Sequence, residues 1–183
     1  FDAIRYCNLL SIRKKLEPCY SFSKFGSNPN KWPNNWDKDE NNQSLIICDW
    51  SANGYRLPTI IEWKYAAIGG RFASNNTYSG DKDLSLVGWY IGNSNASLNI
   101  IGGLKENELG IYDMSGNVKE WCWDGNENGL RSVMGGGWKD TPECCTVESL
   151  EFRAPGNIDD TIGFRVIRSV IRKDKSKTKI LPA

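Results

Sequence analysis

Cysteines and carboxylates are the residues through which this chain could do chemistry, because the sequence contains no histidine. The absence of histidine removes the most common general base and the Ser-His and Cys-His nucleophile pairs. No two cysteines form a CxxC pair, so a zinc site of thiolates and imidazoles is not indicated. An even number of cysteines permits disulfides in an oxidising compartment, but it leaves the pairing open. The cysteines are Cys7, Cys19, Cys48, Cys122, Cys144 and Cys145.

The composition is that of one soluble globular domain. The chain has 183 residues, of which 39% are apolar and 25% are charged, and this length can bury a substantial core. A formal charge of +1 creates no overall field that would favour nucleic acid or a membrane surface. No apolar run approaches the roughly 20 residues of a membrane span. We expect a domain over residues 1–170, followed by a disordered basic tail at 171–183, with a polyanion-binding arm as the alternative for the tail.

Hydrophobic spacing predicts two helices on a small, loop-rich sheet, which is an α+β arrangement. The first helix is predicted over Asp2–Leu16, with Asp2 as its cap. The second begins after Thr59, which forms a capping box with Glu62, and ends at Gly69-Gly70. Residues 25–43 are typical of an irregular loop. Strands are predicted at 44–50, 86–90, 110–112, 131–134 and 163–168.

Eight tryptophans are many for a chain of this length. Large rings can fill a core that lacks long helices and strands, and this is the interpretation for most of them. Trp32 and Trp36 lie in the polar loop and are the least explained by packing. For these two residues a sugar-stacking platform is the alternative.

Four motifs, in this order and at these spacings, resemble the formylglycine-generating-enzyme family, also called the sulfatase-modifying-factor family. The resemblance implies a variant of the C-type lectin fold, with two main helices, short antiparallel strands and much irregular loop. Its members include copper-dependent oxidases that convert a sulfatase cysteine to formylglycine, other small-molecule oxidases, and binding proteins without chemistry. Some are surface proteins diversified by retroelements, whose ligand pocket forms between the last two motifs. The motifs are GYRLPT with EW and YAA at 54–67, LGIYDMSGNV with EW at 109–121, GGGW at 135–138 and GFRV at 163–166.

The copper site that the resemblance implies is incomplete in this sequence. The family oxidases use two cysteines, five positions apart, after the GGSW-like motif, and here these positions hold Asp140 and Cys145. Copper(I) prefers soft thiolates to a carboxylate, and the adjacent Cys144 would chelate poorly beside Cys145. The family's serine and tryptophan near this site are replaced by Gly137 and Lys119. We therefore expect no copper and a lost activity, with Cys145 as the catalytic residue if activity persists. The cysteine pair is otherwise expected to be buried thiols, or bonded to one of the three N-terminal cysteines.

The resemblance also implies a calcium site. Its ligands would be the side chains of Asp113 and Glu120 and the carbonyls of Gly116 and Val118. Hard oxygens of these two kinds suit calcium, and a glycine permits the tight turn. The alternative is that Asp113 caps a turn and Glu120 pairs with a buried arginine such as Arg165.

The segment between GGGW and GFR is predicted to form a ligand pocket for a protein or a small polar ligand. It mixes charges, hydroxyls and one ring, which suits hydrogen bonding around a small apolar anchor, and its acids favour a basic or polar partner. An ordinary solvated loop is the alternative. The candidate ligand-binding residues are Trp138, Asp140, Thr141, Glu143, Thr146, Glu148, Glu151 and Arg153.

Three hypotheses follow. The first is a non-catalytic ligand-binding protein, displayed outside the bacterial cytoplasm or on the cell surface, and sequence-diversified. The second is a copper-dependent oxidase that generates formylglycine or acts on a small molecule. The third is a structural or regulatory domain of a larger protein, because the chain opens inside a predicted helix. The sequence does not reveal the oligomeric state or the ligand.

Overall fold

The computed structural model describes residues 1–33, 36, 38 and 40–169, so the predicted basic tail at 171–183 lies outside the described residues. Within them, no helix has the length and apolar character needed to cross a membrane. Short 3-10 turns occupy much of the loop between the first two strands. The helices are α1 (Asp2–Arg13), α2 (Ile60–Ala67) and α3 (Leu84–Val87). The strands are β1 (Tyr20–Phe22), β2 (Ile46–Cys48), β3 (Tyr55–Arg56), β4 (Lys119–Gly125), β5 (Arg131–Met134), β6 (Leu150–Arg153), β7 (Ile162–Gly163) and β8 (Ile167–Arg168).

Helix α1 is shorter than predicted and is not capped by Asp2. Phe1 holds the cap position without a side-chain bond, and the helix ends at Arg13 because Lys15 takes a left-handed backbone conformation. The buried face of α1 includes two polar residues, Asn8 and Ser11. The Asn8 amide exchanges hydrogen bonds with the backbone of Tyr20 in β1, and the Ser11 hydroxyl accepts the N–H of Tyr55 in β3. These buried bonds attach two strands to the helix.

Helix α2 begins as the sequence predicts. Thr59 and Glu62 form both bonds of the capping box. The two Glu62 carboxylate oxygens also accept hydrogen bonds of 2.7 and 2.6 Å from the Arg56 guanidinium. The spacing within RLPTxxE therefore joins β3 to the start of α2, because one carboxylate serves both the cap and the arginine. Gly69, in the left-handed conformation, follows the helix.

The largest sheet has the strand order β6-β5-β4-β7. Its neighbouring strands are antiparallel, as expected, except for β4 and β7, which are parallel. The sheet carries the GGGW motif directly after β5, and the segment 138–149 then returns to β6. The first residue of β4, Lys119, contacts Asp140 in that segment.

Two apolar clusters form the core, one on α1, β1 and β2 and the other on α2, β4 and β5. Trp32 and Trp36 are both buried in the first cluster, with ring centroids 4.5 Å apart. The Trp32 indole N–H also donates to the carbonyl of Gly26. Packing therefore explains both rings, and a sugar-stacking platform made by them is wrong.

Several predicted strands differ from those observed. Residues 84–87 are helical because Asp83 caps them through the N–H of Ser85, and residues 110–112 form no strand. In place of one strand at 163–168 the structure has two short strands, β7 and β8. Of the strand predicted at 44–50 only β2 is formed, and β5 has the predicted bounds. Strand β4 was not predicted, because charged residues such as Lys119 and Glu120 at its start are rarely buried.

Candidate functional site

Lys119 forms the centre of the candidate site. It is the first residue of β4 and only 6% exposed. Its Nζ donates to Asp140 Oδ2 and lies 3.7 Å from Glu151 Oε1. Asp140 Oδ2 also accepts the N–H of Gly137, at 2.8 Å. Two positions where this chain departs from the oxidase pattern, Lys119 and Asp140, are thus bonded to each other.

The charge network continues along β6. Lys119 joins Asp140 to Glu151, and Glu151 is in turn paired with Arg153, whose Nη2 lies 2.5 Å from Glu151 Oε2. Asp140, Glu151 and Arg153 were predicted as ligand residues, and the structure brings them together. Lys119 was identified only as a departure from the family motif, although its opposite charge to Asp140 could have indicated the pair.

Cys145 follows Asp140 on the same segment and is completely buried. Burial, followed by the nearby Asp140 carboxylate and the Cys144 thiol, raises the pKa of Cys145 to about 12. All six cysteines are free thiols, and Cys144 is the one that is partly exposed. The expectation of buried thiols is therefore met for Cys145, and a disulfide to an N-terminal cysteine is not formed.

The remaining predicted ligand residues differ in their exposure to solvent. Trp138 is buried, with Lys139 Nζ 4.4 Å from its ring centroid. Thr141 and Glu143 are exposed. Thr146 and Glu148 line an open depression of about 570 Å³ together with residues 75–77, and Glu148 pairs with Lys64 of α2.

A second cavity, of about 460 Å³, was not anticipated from the sequence. It lies between the start of α1, the middle of β4 and residues 155–164. Trp121, Trp123 and Phe164 contribute aromatic surface to it. Only the last part of the segment between GGGW and GFR reaches this cavity, so it is separate from the charge network.

Two of the predicted calcium residues, Glu120 and Asp113, lie beside the guanidinium of Arg165, whereas no contact of Gly116 or Val118 with it is seen among the described residues. Arg165 donates to both carboxylate oxygens of Glu120, at 2.6 and 2.7 Å, and the indole of Trp63 donates to the same carboxylate. Arg165 Nη2 also donates to the carbonyls of Tyr112 and Asp113. The Asp113 carboxylate accepts the N–H of Gly102. The alternative pairing of Glu120 with Arg165 is therefore present, and a bound calcium ion stays a prediction.

Comparison with known proteins shows what this scaffold is. The protein-family model described as the sulfatase-modifying factor enzyme 1-like domain matches residues 1–170 of this sequence. The chain belongs to this family. As expected from the four motifs, the fold is the α+β, C-type-lectin-like fold of the formylglycine-generating-enzyme family. The solved structure of Treponema denticola variable protein 1 is similar, with a TM-score of 0.73 and 30% identity over 90% of this chain and 66% of that one.

Relatives within the sulfatase-modifying-factor family differ in what their names describe. Chaperone protein LppX of Paenibacillus barcinonensis is 38% identical over 92% of this chain and 67% of its own length. The inactive C-alpha-formylglycine-generating enzyme 2 of Bos taurus is 27% identical over 68% of this chain and 46% of its own length. The chain thus spans between about half and two thirds of the length of these relatives.

Proposed function

We propose that this chain is a non-catalytic ligand-binding module, with the segment between GGGW and GFR as its binding surface. The observation that carries the proposal is the Lys119–Asp140 ion pair. It occupies the place where the resemblance puts the first copper thiolate. A lysine ammonium repels a metal cation, and a carboxylate is a poor ligand for copper(I).

The one remaining family thiol is also unsuited to copper. A metal binds the thiolate, so the thiol must first lose its proton. Burial raises the pKa of Cys145 to about 12, so copper would have to displace this proton at an added free-energy cost. Its sequence neighbour Cys144 is the nearest candidate for a second sulfur ligand, but consecutive side chains chelate poorly.

The names of the relatives support binding rather than oxidation. One is called a chaperone, one an inactive formylglycine-generating enzyme and one a variable protein. A protein ligand or a small polar ligand suits the mixture of hydroxyl and charged groups on this surface. Calcium, display at a bacterial surface and variation among copies remain further predictions, and sequencing sibling copies would test the last of them.

A copper assay tests the absence of oxidase chemistry. The reduced protein is titrated with copper(I) against a chromophoric chelator, and then incubated under oxygen with a cysteine-containing substrate peptide. We expect no stoichiometric copper and no peptide oxidation, and Cys145→Ser should behave like the unchanged protein. One bound copper that is lost in Cys145→Ser, together with turnover of the peptide, would overturn the proposal in favour of the oxidase.

A display experiment tests the binding surface. The folded protein is panned against a random dodecapeptide library, and the affinities of the selected peptides are measured. We expect Thr141→Ala with Thr146→Ala to weaken their binding about tenfold or more, because these hydroxyls lie on the proposed surface. Glu127→Gln, an exposed change in the turn between β4 and β5, is the control. Binding that is unaffected by the threonine changes would refute this location.

A further inference from the structure

The cavity between the start of α1, the middle of β4 and residues 155–164 has the dimensions of a small-molecule site. Its volume of about 460 Å³ lies within the roughly 300–1,000 Å³ of ligand pockets. One wall belongs to the interior of the largest sheet, since β4 lies between β5 and β7. In the wall made by residues 155–164, the Asp159 carboxylate accepts the N–H and the hydroxyl of Thr161 at 2.8 and 2.6 Å. Both walls are therefore held in place by the fold itself.

Two tryptophans of β4, Trp121 and Trp123, are half-buried and line this cavity. The Trp123 ring is already packed, because the ring centroid of Tyr20 lies 4.9 Å from its own and the Arg131 guanidinium lies 4.5 Å from it. The Trp121 ring has neither an aromatic nor a cationic partner in the described part of the chain. Its indole is thus open to a flat ring, which can stack on it.

The polar groups that these tryptophans bring to the cavity are donors. Among the described residues, neither the Trp121 nor the Trp123 indole N–H donates a hydrogen bond, and neither is sealed from solvent. The indole N–H of Trp89 also has no partner, but it is fully buried. A ligand that displaces water from the two open N–H groups must supply an acceptor oxygen or nitrogen, or affinity is lost.

The rest of the lining favours an aromatic ligand over a sugar. Aliphatic and aromatic side chains make up most of the described lining, Ile46, Leu57, Ile162 and Phe164 among them. A sugar carries hydroxyl groups around its ring, and each one that leaves water without a hydrogen-bond partner costs free energy. A flat aromatic ring loses little when its faces leave water, and it needs only a few polar contacts at its edge.

The charges around the cavity balance one another. Among the described residues, its lining contains two acids, Asp2 and Asp159, and two bases, Lys38 and Arg131. All except Arg131 are exposed to solvent, and Arg131 donates to a backbone carbonyl. An ionic ligand would therefore lose hydration without meeting a net opposite charge.

We propose that this cavity binds an uncharged aromatic molecule that carries a hydrogen-bond acceptor such as a carbonyl oxygen. The ring stacks on Trp121, and the acceptor receives the open indole N–H groups. The site is separate from the surface between GGGW and GFR that carries the proposed function, so either of the two can fail without the other.

Three small molecules test the ligand class: coumarin, which is uncharged and has a carbonyl group, coumarin-3-carboxylate, which is an anion, and the sugar lactose. Binding of each to the full chain is measured by titration calorimetry and saturation-transfer NMR. We expect coumarin to bind saturably, with a Kd of about 1 mM or tighter, and at least about tenfold more tightly than the other two. No saturable binding of coumarin, or equal or tighter binding of the carboxylate or of lactose, would overturn the inference.

The indole N–H signals of the protein locate the contact. The eight tryptophans give separate signals in a ¹H–¹⁵N spectrum, and Trp→Phe variants assign them. Coumarin should shift the signals of Trp121 and Trp123 and leave that of Trp89 unchanged, because its N–H is closed to solvent. Shifts that spare Trp121 and Trp123 would show that coumarin binds elsewhere and would refute the site.

A conservative substitution tests the hydrogen bond. Trp121→Phe keeps an aromatic ring but removes the N–H, and it should weaken coumarin about threefold to tenfold. Trp50→Phe is the matched control, because this tryptophan is 48% exposed and lies outside the cavity. If both variants bind coumarin as the unchanged protein does, the cavity is not its site. The threonine variant of the proposed binding surface, Thr141→Ala with Thr146→Ala, should bind coumarin normally.

Discussion

Lys119 and Asp140 form an ion pair that is almost closed to solvent, with side chains 8% and 21% exposed. One residue begins β4 and the other follows the GGGW turn, so the pair joins the central sheet to the candidate binding segment. Burying a charged side chain costs hydration free energy, and the attraction of an oppositely charged partner offsets part of that cost.

Removing the cation should expose this dependence. Lys119→Met keeps the length of the side chain but leaves Asp140 and Glu151 without their shared counter-ion. We expect the free energy of unfolding to fall by about 3 kcal/mol, measured by urea denaturation. Adding Asp140→Asn to Lys119→Met should restore part of this loss. If Lys119→Met alone is as stable as the unchanged protein, the ion pair does not hold the segment 138–149 in place.

Gly136 is a second sensitive position. A Cβ added there would lie 2.5 Å from the carbonyl oxygen of Cys144 and 2.7 Å from Cys145 Sγ, at a φ of +67°. Gly136→Ala should therefore destabilise the protein by at least about 2 kcal/mol, since both the clash and the backbone conformation oppose it. Gly156→Ala, with no atom within 4 Å of its added Cβ, should have a free energy of unfolding within about 0.5 kcal/mol of that of the parent protein. Thermal denaturation of both variants measures the difference. Equal melting of the two variants would refute the close packing at Cys145.

The buried thiol predicts a loss of stability at high pH. The pKa of Cys145 rises from 9.0 to about 12 on burial, so the folded state binds the proton more tightly than the unfolded one. This contribution is complete below pH 9 and is lost as the pH rises towards 12. Above pH 9 the free energy of unfolding of the parent protein should therefore decrease with pH. Replacing the thiol should make the slope of this decrease smaller by up to about 1 kcal/mol per pH unit.

The matched variants are Cys145→Ala and Cys144→Ala. Because lysines and tyrosines titrate equally in both, the difference between their pH profiles isolates the buried thiol. We expect the flatter profile only for Cys145→Ala. The same slope in both would show that Cys145 is not shielded from water.

Calcium binding at 113–120 can be tested directly. If calcium binds there, Glu120 must exchange the Arg165 guanidinium for the ion, while Asp113 contributes a second carboxylate. Calcium at about 1 mM should then raise the melting temperature of chelator-treated protein, and Glu120→Gln should abolish that rise. Magnesium is the control ion, since it prefers a smaller octahedral site. No rise with calcium would leave Arg165 as the cation of this loop and refute the metal site.

The prediction of the fold succeeded where one short stretch of sequence contains its own partners. Thr59 and Glu62 are three residues apart, and their capping box was predicted correctly. Helix α3 carried a similar local signal in Asp83, which was overlooked. Strand β4 gave no such signal, because the bonding partners of Lys119 and Glu120 are all distant in the sequence. The core positions of Trp32 and Trp36 could not be recognised for the same reason, since the residues beside them in the sequence are polar.

The sequence by itself determined the family, the two main helices and the carboxylate at position 140, where the resemblance implies a copper cysteine. Each of these follows from residue types at fixed spacing along the chain. Only the tertiary structure decided that Asp140 is paired with Lys119, that Glu120 is held by Arg165, and that Cys145 is a buried thiol. Such pairings depend on which strands become neighbours, and side chains more than 20 positions apart meet only when burial of the core brings the strands together.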